Sequence, residues 1–287
     1  MKVDITNEDK ILFPSDKITK GDLIQYYEAV APRMIPHLKD RPISMKRYPD
    51  GIKKGGFVQK QVSDYFPSWV KTKGVKRQEK GSVKMVVCND KDTLRYLANQ
   101  ACITPHIWQS TIKDLKHPNR IVFDLDPPGK NFSLAIEGAK FLREVLLDDF
   151  KLKSYVMTTG SKGLHVIVPI KPDHPFEKVR SFAKKVGMVL VDEEPDHYTL
   201  NPRKSGRKSK LFIDYLRNGY GQTSVAPYAV RALDGAPIAV PLSWDELTSR
   251  LTPQSFNLET VKKRLAKADP WKGMRMQSLP KLANAVK

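Results

Sequence analysis

From about residue 120 onward the chain alternates short apolar runs with amphipathic stretches. Arg120-Ile121-Val122-Phe123 reads as a buried strand running into Asp124. A helix is predicted from Ser133 to about Leu147, with Leu134, Phe141, Leu142, Val145 and Leu146 on its apolar side. A strand at Tyr155-Val156-Met157 turns at Gly160-Ser161-Lys162-Gly163 into a second, Leu164-His165-Val166-Ile167-Val168. Another helix is expected over 175–191, and the strand Leu211-Phe212-Ile213 ends at Asp214.

The first part of the chain has a different rhythm. A short strand, Ile11-Leu12-Phe13, meets a turn at Pro14-Ser15-Asp16, and Thr19 caps a helix carrying Leu23, Ile24, Tyr27, Val30, Ala31 and Met34 at helical spacing. Pro36 predicts a break near that point. Residues 41–120 read mostly as strands and turns, including Ile43-Ser44-Met45, Gly56-Phe57-Val58 and Ser82–Val87, with one helical insert from Asp92 to Ala101. After about 250 a helix and an irregular basic tail follow. The pattern predicts an α/β (α+β) fold, with helices packed on a mostly antiparallel sheet, preceded by a strand-rich module. One domain is expected, divided in chain order into 1–119, a catalytic α/β module at 120–250, and a C-terminal helix and tail at 251–287.

Composition narrows the classes. Apolar residues make up 40% of the 287, enough for a sizeable core. No window approaches the run of about 18 apolar residues that a membrane span needs, and the N-terminal residues lack a secretion signal, so a cytoplasmic protein is expected. Cys88 and Cys102 lack the spacing of a zinc site or a disulfide and read as small buried residues. Fifty basic residues against 31 acidic ones give a formal charge of +19, the footprint of a partner rich in phosphate or of a solubilising surface.

Candidate chemistry concentrates at strand ends. Asp124 and Asp126, two apart on a strand, project from one face and suit magnesium or manganese. Asp214, at the end of another apolar strand, completes a clamp for two cations on an attacking hydroxyl and a departing pyrophosphate. The Asp-x-Asp pattern alone also fits a capped or solvated turn. Thr159, Ser161 and Lys162, among the glycines of 158–165, offer hydroxyl, backbone and ammonium groups to phosphate oxygens; a tight hairpin needs the same glycines. His165 reads equally as a core histidine. Arg203, Lys204, Arg207, Lys208 and Lys210 precede Asp214, either as a triphosphate grip or as a solvated charge run, and Arg217 and Arg231 follow it as a further basic group where a polyanion could thread. Lys10, Lys20, Lys46 and Arg47 flank the first helix and strand, where Phe57 reads as a base-stacking residue or as core.

Val122-Phe123-Asp124-Leu125-Asp126-Pro127, Gly160–Val166, Ile213–Gly219, Val225–Tyr228 and Val230–Ala232 together resemble the polymerase domain of DNA ligase D. This family of prokaryotic non-homologous end joining belongs to the archaeo-eukaryotic primase superfamily. The resemblance runs from about Asn7 to about Trp271. It implies a primase-polymerase fold and a template-dependent polymerase that fills gaps and extends 3′ ends, favouring ribonucleotides. Asp124, Asp126 and Asp214 would bind two catalytic divalent ions, manganese above magnesium. His106, Thr159, Ser161, Lys162, His165, Arg207, Arg217 and Arg231 would contact the NTP or dNTP. Lys10, Lys20 and Lys46 would hold the 5′-phosphate of a gap or break, with Arg47 and Phe57 on the template. Val58 stands where many relatives carry a second aromatic, Thr159 where serine is usual, and Arg217 in place of a polar amide. No Lys-x-Asp-Gly adenylation motif occurs, so a freestanding polymerase working with Ku and a separate ligase is expected. A non-catalytic end-bridging module and a metal-dependent nuclease are the alternative functions.

Overall fold

The computed structural model describes residues 3–78 and 80–280. Along the chain run β1 (Ile11–Phe13), β2 (Ile18–Thr19), α1 (Lys20–Leu38), β3 (Pro42–Arg47), β4 (Phe57–Gln59), β5 (Thr72–Lys76), β6 (Ser82–Val87), α2 (Lys91–Asn99) and β7 (Cys102–Trp108). Then come β8 (Arg120–Asp126), α3 (Phe132–Asp148), β9 (Tyr155–Thr158), β10 (Leu164–Pro169), α4 (Phe176–Glu193), β11 (Tyr198–Thr199), β12 (Leu211–Asp214), β13 (Thr223–Val225), β14 (Pro241–Leu242) and α5 (Val261–Leu265). They form two compact units. The first takes in the described residues of 1–113, 223–240 and 256–269; the second takes in those of 114–222, 241–255 and 270–287. The sequence reading divides the chain in order, whereas packing returns two later segments to the first unit.

In the first unit α1 begins on a capping box: the Thr19 hydroxyl accepts from the Asp22 amide while the Asp22 carboxylate accepts from the Thr19 amide. The helix does not break at Pro36. It continues through Pro32 and Pro36 to Leu38, because Val30, Ala31, Met34 and Leu38 are buried, and that packing outweighs the lost backbone bonds. The sheet of this unit has the order β13-β7-β3-β6-β5, with β4 added on β3. Cys88 and Cys102 are buried free thiols, and burial pushes the Cys102 thiol up to about 12.

The second unit is built on the sheet β11-β12-β8-β10-β9-β14, antiparallel except for the β11–β12 pair. Its centre is apolar on both faces: Ile121, Val122, Phe123, Leu125, Val166 and Ile213 are fully buried. Gly138 of α3 lies against Leu211, and Gly187 of α4 lies near Ile213, so these helices cover the face to which Leu211 and Ile213 point. Phe212 and Asp214, alternating with them, point to the opposite face. The C-terminal helix expected after 250 is the short α5, in the first unit; residues 281–287 of the expected tail lie outside the described residues. No described helix is long and apolar enough to cross a membrane.

Candidate active site

β8 does not end before its acidic residues. It runs through Asp124 to Asp126, and its pairing sets the site: Asp124 stands opposite His165 of β10 and opposite Asp214 of β12. Residues opposed in antiparallel strands share a face, so His165, Asp124 and Asp214 form one row across three strands, with Asp126 two residues along. Arg217 bridges the row. Its Nε lies 3.1 Å from Asp124 Oδ2 and 3.2 Å from Asp214 Oδ2. The other Asp124 oxygen is 3.4 Å from His165 Nε2, and the Leu216 amide donates to Asp214 Oδ1 at 2.9 Å.

Crowding three carboxylates has opposite effects on them. Burial works against the charge of Asp124, but His165 and Arg217 outweigh it and hold this carboxyl below its ordinary range. Asp126, without such close partners, is pushed up by burial and by the charge of Asp124. Asp214 also moves up, chiefly through burial, with Arg217 opposing. Arg217 is itself held more firmly cationic by Asp124 and Asp214, against the effect of burial.

Among the described residues no three His, Cys, Asp or Glu side chains close into a ready-made metal cage. The donor set nevertheless suits hard divalent ions: it is all carboxylate oxygen, and one cationic nitrogen already draws an oxygen from each of two strands. That guanidinium supplies the positive charge between the two carboxylates.

The turn between β9 and β10 packs on the same strand. Gly160 adopts a φ of +67°, and a methyl group at Gly163 would drive into the carbonyl oxygen of Leu125, between the two β8 carboxylates. Thr159 closes the turn: its hydroxyl accepts from the Gly163 amide at 3.2 Å and donates to the Gly163 carbonyl at 3.0 Å. Lys162 is exposed and Ser161 half-buried. Arg207 lies over the ring of Phe212, 3.7 Å from its centre, donates to the Asn201 and Pro202 carbonyls, and brings Nη1 to 4.0 Å from Asp126. The buried Nδ1 of His165 has no hydrogen-bond partner among the described residues. Thus Asp124, Asp126, Asp214, His165, Arg207 and Arg217 come together, with the turn carrying Thr159, Ser161 and Lys162 against β8.

Sequence reading missed Asn218. Fully buried, it accepts from the Val122 amide and donates to the Val122 carbonyl, both at 2.8 Å, and so takes the place of a strand neighbour beside Asp124. An asparagine in a Leu-Arg-Asn-Gly turn carries no signal for that.

The remaining predicted residues belong to the first unit. His106 is on β7 and Arg231 follows β13; their assignment to nucleotide binding rests on the resemblance alone. Lys20 is buried, and its ammonium is pushed down by burial and then by the charge of Lys10. Lys10 is paired to Asp50 at 2.9 Å. Lys46 and Arg47 end β3, and Arg47 lies 5.5 Å from the ring centre of the exposed Phe57 opposite it.

Residues 19–271 match the family described as LigD, primase-polymerase domain. The chain is 36% identical over 268 residues to the bifunctional non-homologous end joining protein LigD of Bacillus subtilis, covering 93% of this chain and 43% of that protein. It is 34% identical over 249 residues to the multifunctional non-homologous end joining protein LigD of Mycolicibacterium smegmatis, covering 86% and 32%. The chain therefore spans less than half the length of these relatives. Its fold is similar to that of the polymerase domain from Mycobacterium tuberculosis Ligase D in complex with DNA, with a TM-score of 0.87 at 31% identity over 95% of this chain and 98% of that one.

Proposed function

The chain belongs to the LigD primase-polymerase domain family, nucleotidyltransferases of the primase-polymerase type, and on that premise we propose that it fills gaps and extends 3′ ends at DNA breaks during non-homologous end joining. The observation that carries the reading is the row of Asp124 and Asp214 in register on adjacent strands, with Asp126 beside them. Three carboxylates so placed repel one another and a DNA backbone alike, which makes sense where cations are to be held.

The reaction joins the primer 3′-oxygen to the α-phosphorus of a nucleoside triphosphate and breaks the bond to the β-phosphate, releasing pyrophosphate. Asp124, Asp126 and Asp214 would hold two divalent ions, manganese in preference to magnesium, which would supply activation of the hydroxyl and neutralisation of the leaving group. Arg207 and Lys162 hold triphosphate oxygens, with Ser161 and the amides of the glycine turn as further donors. Arg217 contributes to the same charge once released from the carboxylates, and His165 orients Asp124 from the neighbouring strand. Thr159, its hydroxyl spent on Gly163, shapes the turn that faces the nucleotide. Ribonucleotides are preferred over deoxyribonucleotides, the substrate is a gap or overhang with a downstream 5′-phosphate, and Ku and a ligase activity are the partners in repair.

Extension of a labelled primer on gapped DNA, with ribo- and deoxyribonucleotides in parallel and in magnesium and manganese, tests the reading. Asp124→Ala and Asp214→Ala are expected to abolish extension while leaving DNA binding largely intact. Full extension by either purified variant would overturn the assignment. Shortening of the primer by the unaltered chain, with no nucleotide added, would point to a nuclease instead.

A further inference from the structure

Arg47 in the first unit is fixed from several sides. It donates to the Gln100 carbonyl at 2.7 Å, to Gln100 Oε1 at 3.0 Å, to Gln59 Oε1 at 2.7 Å and to the Tyr65 hydroxyl at 2.7 Å. The ring of Phe57 lies against the same guanidinium. Phe57 and Tyr65 thus flank one rigid arginine, and both rings are open to solvent, 48% and 59% exposed.

Tyr65 inverts the usual placement of a tyrosine. Such a side chain ordinarily buries its ring and leaves the hydroxyl to water. Here the hydroxyl is tied down and the ring is presented. Its loop is also held in place: Gln59 Nε2 donates to the Gln61 carbonyl and to Ser63 Oγ, both at 2.9 Å, and the Val62 amide donates to the Lys84 carbonyl at 2.8 Å. The adjoining Phe66 ring, 5.2 Å from that of Tyr65, is buried edge-on against Tyr96. The ring is therefore ordered before any ligand arrives, which lowers the entropic cost of stacking on it.

We propose that Tyr65 is a second stacking platform, taking the unpaired template base next to the one carried by Phe57. The inference rests on the polymerase reading above and on the expectation that Phe57 stacks at the template. A nucleobase is the occupant favoured by charge: the ring sits on a loop that begins at Lys60 and is bonded to Lys84, beside Arg47, so the ligand combines a flat aromatic face with negative charge. Arg47 between the two rings keeps them apart, so two successive bases are splayed rather than stacked on each other.

The test uses the full chain and gapped DNA carrying 2-aminopurine at the first or the second unpaired template position. Binding is expected to quench the fluorescence at both positions. Phe57→Ala should restore it at one position and Tyr65→Ala at the other, with about tenfold weaker binding of the gapped DNA for Tyr65→Ala. Tyr65→Phe, which keeps the ring and loses only the bond to Arg47, should quench as the unaltered chain does. Quenching by Tyr65→Ala equal to that of the unaltered chain at both positions would overturn the proposal. So would equal loss in Tyr65→Phe and Tyr65→Ala, since the hydroxyl and not the ring would then matter. The underlying reading fails separately, if the unaltered chain extends no primed template, because the fluorescence needs no catalysis.

Discussion

Arg217 places one guanidinium nitrogen within 3.2 Å of carboxylates on two strands, and divalent ions bound there must share or displace it. Removing it leaves Asp124 and Asp214 without their nearest counter-charge. Arg217→Ala is expected to lower stability in the absence of divalent ions by about 1–2 kcal/mol, discounted for the solvent that reaches the guanidinium. That corresponds to roughly 2–8 °C in Tm. Manganese should then raise the Tm of the variant more than that of the unaltered chain, because no guanidinium competes for the same oxygens. Thermal unfolding with and without manganese checks this; equal shifts would mean that Arg217 and the ion do not contend. The three aspartates were legible in the sequence because strand alternation fixes the common face of 124 and 126, and an apolar run marks each strand. The bridge by Arg217 was not, since it depends on two segments 93 residues apart meeting in register. In the sequence Arg217 reads as one of the basic residues after Asp214, with no sign that it joins two strands.

The turn between β9 and β10 and the strand β8 act as one element, because Gly163 sits against the Leu125 carbonyl with no room for a side chain. Gly163→Ala is expected to cost about 3 kcal/mol, the upper range for an inserted methyl that meets backbone rather than a yielding side chain. By pushing on Leu125 it should also misplace the carboxylates on either side and remove primer extension. Lys162→Ala, one residue earlier but exposed, should change stability by less than about 0.5 kcal/mol and act mainly by raising the KM for the nucleotide. Urea unfolding and extension kinetics on both variants separate the two roles; an unchanged unfolding midpoint for Gly163→Ala would show that the strand can yield. The long helices and the strands around this turn follow their apolar periodicity closely. β7 is not singled out among the strands expected over 41–120; it carries Pro105, a residue that argues against an inner strand, yet β7 pairs with β3 and β13 on either side, with Pro105 opposite Met45. β11 and β14, two residues each, exist only because longer strands are there to pair with, and no local pattern announces them.

On the proposed function, the charge of +19 is expected to supply affinity for DNA that falls with salt, with Lys10, Lys20 and Lys46 expected to select a phosphorylated end. The α/β order of the chain was readable from its pattern; that 223–240 and 256–269 rejoin the first unit was not, because it depends on packing between segments far apart in sequence. Lys20 is buried with the charge of a second ammonium, Lys10, acting on it, an arrangement that an anion would relieve. Asp50 partly fills that role by pairing with Lys10. A terminal phosphate carries more charge than one carboxylate and should displace it, whereas a 5′-hydroxyl has nothing to offer. Lys10→Ala and Lys46→Ala are therefore expected to weaken binding to gapped DNA by roughly tenfold when the downstream end is phosphorylated. With a 5′-hydroxyl end they should have little effect. In a salt titration of the phosphorylated substrate, each variant should reduce the slope of log affinity against log salt by about one. A tenfold loss that is the same for both ends, with the same change of slope, would reduce these lysines to general backbone contacts and leave the recognition of the 5′-phosphate to other residues.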